Sequence, residues 1–319
     1  MYIMNNKYDL TKIAAVPLKN TDVVIVDGMN LFHRFYHIFG KYPYGTAYGF
    51  ISGLLNFKSQ LLSNKFVVCW DGDKNWRKDE NDDYKQDREK SRNNQFTDED
   101  REAFNLSLVR TKELLTAVGI IQVIKQDCEA DDIIALITLK YDSNVIIVSN
   151  DKDFMQLVNN SKNRYVLRPI GKGNYSLFYE DDVYNQFGVK PTDIPKLLAI
   201  AGDTSDNVKG VKNFGPVKAL QMIQAGQITK DNLRNIFNKE QIKQFVSSYR
   251  LVKLGNDKFH HIKISKKDVS LSKYTDMSVY LENTQDVLNK FDIKRITSIE
   301  CKQIYNLNFT LEFEKRFII

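Results

Sequence analysis

Acidic residues recur at one kind of place in this 319-residue chain: directly after short apolar runs. Val23-Val24-Ile25-Val26 runs into Asp27, and Phe66-Val67-Val68-Cys69-Trp70 into Asp71. Val145 to Val148 leads, past Ser149 and Asn150, into Asp151 and Asp153. Ala199-Ile200-Ala201-Gly202 leads into Asp203 and Asp206, and a fifth cluster, Glu129-Ala130-Asp131-Asp132, opens an apolar-periodic stretch. Singly, each has a plain reading as turn chemistry, a helix cap or acids at a helix N-terminus. Jointly they gather repelling carboxylates, and hard divalent cations with oxygen ligands are the usual remedy.

These acids require elements that bring them to one place. The first three runs read as short, buried parallel strands, and ligand crevices of open α/β sheets lie beyond the carboxyl ends of the strands. Strands and helices alternate to about residue 180: helices near 31–39, 47–62, 107–118 and 130–137, a short strand at 120–124, and weaker strands from Tyr165 to Phe178. A mainly α region follows. The expected division is an α/β domain over 1–182 and a helical region over 183–319. Residues 72–105 are highly charged and too long for a simple connection, so they read as an insertion that contacts substrate.

A second constellation follows Asp203 and Asp206. Gly210 and Gly215 bracket a hairpin that opens a helix at Pro216, where a missing N–H costs nothing. Glycines allow close backbone approach, and free N–H groups at a helix start suit a phosphate. Lys209, Lys212 and Lys218 add charge without base specificity.

Lys and Arg number 46 against 40 Asp and Glu, a net charge of +6. With nine carboxylates committed to metal, the remaining surface is more basic still, as suits a polyanion. Three cysteines without CxxC spacing point to a reducing compartment and away from a disulfide frame or zinc site. No apolar run is long enough to span a membrane, and Met1 to Asn20 lacks a signal-peptide core. The expectation is a cytoplasmic protein.

Six motifs now stand in order: VVIVDGMN (23–30), VVCWDG (67–72), YKQDR (84–88), EADD (129–132), VSNDKDF (148–154) and GDTSDN…GV…FGP (202–216). Together they resemble the 5′ nuclease, or flap endonuclease, family in its stand-alone bacteriophage form, which includes 5′-3′ exonucleases and ribonucleases H. The resemblance implies a PIN-like α/β fold, a mainly parallel sheet flanked by helices, followed by a mainly α region with a helix–three-turn–helix at about 197–225. It implies two Mg²⁺ ions, with Mn²⁺ able to substitute. Asp27, Asp71, Glu129 and Asp131 would surround the first, and Asp132, Asp151, Asp153, Asp203 and Asp206 the second. The family's basic arch falls on 72–105. There Lys85 and Arg88 would contact the scissile phosphate, Tyr84 would stack on a displaced base, and Arg77 is a weaker candidate for strand contact. The helix–three-turn–helix would grip duplex backbone and hold K⁺ on its carbonyls.

The implied activity is cleavage of 5′ ends, flaps and RNA or DNA primers during replication or repair. Implied partners are branched or 5′-ended DNA, RNA/DNA hybrid, and a single-strand-binding protein or replicative polymerase. A monomer in the cytoplasm, the host's if phage-encoded, completes the reading. The chain departs from the family pattern at Lys209, Asn213 and Phe214, and its hairpin lysine, Lys218, sits one residue late. Two other functions compete: an aspartyl-phosphate phosphatase, which lacks a second Asp two residues after Asp27, and a branched-DNA binder that does not cut. His33 with His37, His260-His261, Trp70 and Ser205 read as packing or surface, and Trp76 as either a stacking surface or an anchor for the insertion.

Overall fold

The β-branched run Val23–Asp27 forms β1, buried at every position and flanked on both sides by parallel partners. One is β2 (Lys65–Trp70), the other β4 (Val145–Val148). The computed structural model describes residues 23–87, 96–142, 144–171, 174–255 and 262–318. Arg88, the His260-His261 pair and residues 1–22 lie outside them. The sheet continues with β3 (Ile121–Ile124), β5 (Arg164–Gly171), β6 (Asn174–Phe178) and β7 (Val269–Ser270), in the order β6-β5-β4-β1-β2-β3-β7. β6 and β7 pair antiparallel and the other pairings are parallel. The chain leaves β1 toward β2 and β3, then returns to β4 on the other side. The switch point of strand order therefore lies between β1 and β4, where α/β sheets open a crevice.

Alternation along the strands divides the core. Val24, Val26, Val68 and Trp70 face α1 (Gly28–Phe39) and α2 (Gly45–Leu61). The short helix α3 (Trp76–Glu80) follows β2, and α4 (Asp98–Ala117) covers the same face as α1 and α2. Ile25, Val67, Cys69 and Ile147 face α5 (Ala130–Lys140). Beyond β6 come α6 (Glu180–Phe187), α7 (Ile194–Ala201), α8 (Pro216–Gln224), α9 (Leu233–Ile236) and α10 (Lys239–Val252). The chain closes with α11 (Met277–Lys290), α12 (Ser298–Lys302) and α13 (Leu307–Phe317).

Two expectations change. The helix expected from about 107 begins at Asp98, inside the charged stretch 72–105, where Thr97 and Asp100 form a reciprocal capping box. Its first turns are almost wholly charged, so no apolar period announced them. The division at 182/183 does not separate two cores either. Leu288, Phe291 and Ile304 pack into the cluster under α1 and α2, and Phe309, Phe313 and Phe317 join the cluster around α5. With β7 completing the sheet edge, the C-terminal segment wraps back onto the α/β layer.

Candidate functional site

Asp27 ends β1 and caps α1, accepting from the Asn30 N–H at 3.1 Å and from Ser149 Oγ at 2.7 Å. Helix α1 starts immediately after the strand because Gly28 lets it. A Cβ there would lie 2.5 Å from Trp70 Cε3 and 2.7 Å from the Cys69 carbonyl. Asp71, just past β2, accepts from the Ala130 N–H at 2.9 Å, which ties it to the N-terminus of α5. Burial pushes the Asp27 carboxyl up to about 7, with Asp71 and Asp151 adding and the Asn30 and Ser149 hydrogen bonds opposing. Asp131 is held well above the carboxylate range, first by burial and then by the Asp151 charge, so these acids act on one another as a group.

The second group joins sheet to helices. Asp151 caps the 3₁₀ turn Lys152–Leu157, accepting from the Asp153 N–H at 2.9 Å. Asp203 caps and Asp206 ends another 3₁₀ turn, Thr204–Asp206, beyond α7. Ligand oxygens of Asp153, Asp203 and Asp206 all lie within 4.8 Å of one another, and the three residues are buried. Lys152 Nζ bonds Asp203 Oδ1 at 2.7 Å from the rim, and Ser205 Oγ donates to the same oxygen at 2.6 Å. The other oxygen of Asp203, and Oδ1 of Asp153, are buried with no hydrogen-bond partner among the described residues. Burial and the Asp151, Asp206 and Asp203 charges hold Asp153 well above its ordinary range. Buried oxygens of this kind, so close together, suit a hard cation.

Residues 76–87 press the base of the insertion against both groups. Lys85 donates its Nζ to Glu129 Oε1 and lies 3.8 Å from Asp206 Oδ2. Burial opposes its charge, but Glu129, Asp131 and Asp206 outweigh that and hold the ammonium above its usual range. Glu129 in turn sits below its ordinary range: burial raises it, and Lys85 and Arg77 more than offset that.

Three expected roles are corrected here. Arg77 is 1 % exposed, with its guanidinium bidentate on Asp132 at 2.8 and 2.8 Å and on Glu129 Oε2 at 3.0 Å, so it touches no strand. Tyr84 is 3 % exposed and donates to Glu129 Oε2 and Asp206 Oδ2, so its ring offers no stacking face. Asp132 spends both oxygens on Arg77 and accepts from Trp76 Nε1 at 3.0 Å, and it is not one of the three residues whose ligand oxygens cluster around Asp153. Trp76 is thus the anchor of the insertion.

The hairpin after Asp206 closes on α7. Asp203 and Val208 exchange backbone hydrogen bonds, and the Val211 N–H donates to Ile200 O at 2.8 Å. Gly210 is needed because a Cβ would sit 2.6–2.7 Å from the Ala201 and Gly202 backbone. Gly215, the N-cap of α8, faces open space instead. Lys212 and Lys218 are exposed, the latter with Nζ 4.0 Å over the Phe214 ring, whereas Lys209 pairs with Asp83 at 2.7 Å.

A family profile described as the 5′-3′ exonuclease N-terminal resolvase-like domain matches residues 22–188, more than half of the chain. The chain belongs to the 5′-3′ exonuclease family. A flap endonuclease Xni of Shewanella halifaxensis is 30% identical over 256 residues, covering 73% of this chain and 93% of that protein. A 5′-3′ exonuclease of Aquifex aeolicus is 29% identical over 268 residues, 81% and 87% of the two chains. Among solved structures, the bacteriophage T5 flap endonuclease in a pseudo-enzyme-product complex with DNA and metal ions superposes with a TM-score of 0.60 at 22% identity, over 89% of this chain and 98% of that one. Flap endonuclease-1 of Methanococcus jannaschii gives 0.52 at 16% identity, over 92% and 94%. These two share the fold.

In this exonuclease-family chain, sequence reasoning passed over several residues that orient the acids. Ser149 holds Asp27 and also accepts from the Asp151 N–H at 3.0 Å, bridging the two groups. Its only signal was a small polar residue between a strand and an acidic loop. Lys152, between Asp151 and Asp153, carries no signal of its own in the sequence. Gln156, which donates to Asp153 O at 2.8 Å, carried no signal at all. No helix of the described residues is long and apolar enough to cross a membrane.

Proposed function

We propose that the chain is a metal-dependent, structure-selective 5′ nuclease that hydrolyses phosphodiester bonds at 5′ ends, flaps and RNA or DNA primers near single-strand/duplex junctions, in replication or repair. The observation that carries this is the Asp153, Asp203 and Asp206 trio, whose oxygens lie within 4.8 Å and include bare buried atoms of Asp153 and Asp203. Those residues and Asp151 would hold one cation. Asp27, Asp71, Glu129 and Asp131 would hold another, and Asp132 is left out of the set. Two Mg²⁺ ions, or Mn²⁺ in their place, would when bound lower the pKa of a water and offset charge on the leaving oxygen.

The chain's own residues do the rest. Ser149 fixes the orientation of Asp27, and the Ala130 N–H fixes that of Asp71. Lys85 stands at the mouth of both groups, where its ammonium can leave Glu129 to donate to a phosphate oxygen and offset charge as it develops. Arg88 is assigned the neighbouring contact by its place in YKQDR. Duplex backbone would lie along the hairpin, with Lys212 and Lys218 as exposed cations and the open side of Gly215 at the start of α8. The DNA complex of the T5 relative supports a nucleic-acid substrate. A K⁺ in the hairpin would use carbonyls other than those of Lys209 and Lys212, which accept from Ser248, Gln244 and Gln241. The same reading takes RNA/DNA hybrid as a substrate, a monomeric enzyme, and a single-strand-binding protein or polymerase as protein partner.

The test is a duplex carrying a 5′-labelled flap, incubated with Mg²⁺ or with EDTA. Short labelled products near the branch, made only with Mg²⁺, are expected. Binding without cleavage under Mg²⁺ and Mn²⁺ alike would leave a branched-DNA binder instead.

A further inference from the structure

We infer that Arg77 is a positioning residue that sets the spacing between the two carboxylate groups by way of the C-terminal end of α10. The inference rests on the nuclease reading and deepens it. Helix α10 lies outside every sequence motif, yet the Asp153 loop, the hairpin after Asp206 and Arg77, which grips Glu129 and Asp132, all bond to it.

Its last carbonyls are acceptors that the helix itself cannot satisfy, at the negative end of its dipole. Arg77 Nε donates to Leu251 O at 2.9 Å. Gln156 Nε2 donates to Val252 O at 3.0 Å and to Asp153 O at 2.8 Å, while its Oε1 accepts from the Leu254 N–H at 2.9 Å. One turn earlier, Ser248 Oγ and Gln244 Nε2 donate to Lys209 O at 2.6 and 3.0 Å, in the hairpin that follows Asp206. So α10 holds the Asp153 loop and the Asp203–Asp206 hairpin in one frame.

Arg77 adds the third segment. The guanidinium that reaches Leu251 also grips Asp132 with two parallel bonds and Glu129 Oε2 with a third. With Tyr84 on the same Oε2, the other oxygen of Glu129 is turned toward the pit, where Lys85 meets it. Glu129 and Asp131 lie at the N-terminus of α5, and the Asp153 trio lies on the α10 side. A single planar, fully buried fork therefore spans the distance between them. A lysine ammonium has no such fork and cannot serve Asp132, Glu129 and Leu251 O together.

The experiment compares the full chain with Arg77→Lys and Gln156→Met. Binding of Mn²⁺ to the DNA-free protein is followed by electron paramagnetic resonance, and kcat and KM are measured on a 5′-flap duplex. Residues that orient metal ligands typically change affinity or activity by 10–100-fold, so Arg77→Lys should weaken Mn²⁺ binding by about tenfold or more. Its kcat should fall by a similar factor while KM for DNA stays within about twofold. Gln156→Met, which cuts the α10 link without touching the Arg77 pair, should shift Mn²⁺ binding in the same direction by less. It also provides the test if Arg77→Lys does not fold. A lowered melting temperature with unchanged Mn²⁺ isotherms would make the network merely structural and overturn the inference. If the unsubstituted chain binds Mn²⁺ and cuts while both variants match it, the Arg77 inference fails alone; if it does neither, the nuclease reading fails first.

Discussion

The backbone N–H of Lys85 donates to the carbonyl of Asp206 at 3.0 Å, which fastens the base of the charged insertion to the turn that carries the second group of acids. The cost is a left-handed backbone at a lysine, φ +55°. That conformation aims Nζ at Glu129 and Asp206. Because the amide bond does not need the side chain, Lys85→Ala should keep the segment docked. It should lower the single-turnover cleavage rate by about 10²–10³, the range for loss of one donor to developing charge. DNA affinity should change far less. A variant that cuts at the parent's rate would remove Lys85 from the reaction.

Stability of the metal-free protein should depend on pH in a direction set by its acids. The Asp27 carboxyl is pushed from 3.8 up to about 7, chiefly by burial, and Asp131 and Asp153 move the same way. A raised pKa means that the folded chain holds the proton more tightly. The stability it contributes is complete below the unfolded value and is lost as pH rises through the folded one. For Asp27 that window runs from about 4 to about 7. Glu129 and Asp203, held low, lose their contribution only as pH falls below the ordinary carboxylate range. The melting temperature in EDTA should therefore drop between about pH 4 and pH 7, and Mg²⁺ should restore it, most at the higher pH, since it binds the deprotonated acids. A flat or rising melting temperature in EDTA would contradict this.

Gly28→Ala should destabilise the fold by about 1–3 kcal/mol, the usual cost of forcing atoms into a packed interior. The added Cβ would meet Trp70 Cε3 at 2.5 Å and the Cys69 carbonyl at 2.7 Å. Since the carbonyl cannot yield as a side chain can, Trp70→Phe on the same background should recover only part of the loss. Urea unfolding of the single and double variants measures it. Full recovery in the double variant would mean that the ring alone sets the limit.

Lys218→Ala should weaken duplex binding and reduce the slope of log K against log salt by about 0.9, one phosphate contact. Its ammonium lies over Phe214 and is exposed, so no buried ion pair is disturbed. An unchanged slope would assign the grip to backbone amides at Gly215 and beyond.

What the sequence disclosed follows from what repeats in it. The strands at 23–26, 66–70 and 145–148 were legible because a doubly covered parallel strand must be apolar at every position. The acids at their ends were legible because strand ends share one side of the sheet. Asp203 and Asp206 also follow an apolar run, but theirs is the helix α7 and not a strand, with β5, β6 and α6 between it and β4. The roles that the resemblance implies for Arg77, Tyr84 and Asp132 differ from their places in the fold because a planar guanidinium can be buried whole between two carboxylates, and no local pattern in the chain marks that pairing. Nothing local marked Gln156 or Ser248, whose partners lie 96 and 39 residues away in the chain.

The most direct measurement is the single-turnover rate of 5′-flap cleavage as a function of Mg²⁺ concentration, for the parent and for Asp153→Asn. The account predicts no cleavage in EDTA and a rate that rises steeply with Mg²⁺ in the parent. In Asp153→Asn it predicts a rate lower by about 10³ or more at saturating DNA, with duplex binding retained. Cleavage that persists in EDTA, or an Asp153→Asn variant that cuts like the parent, would contradict it.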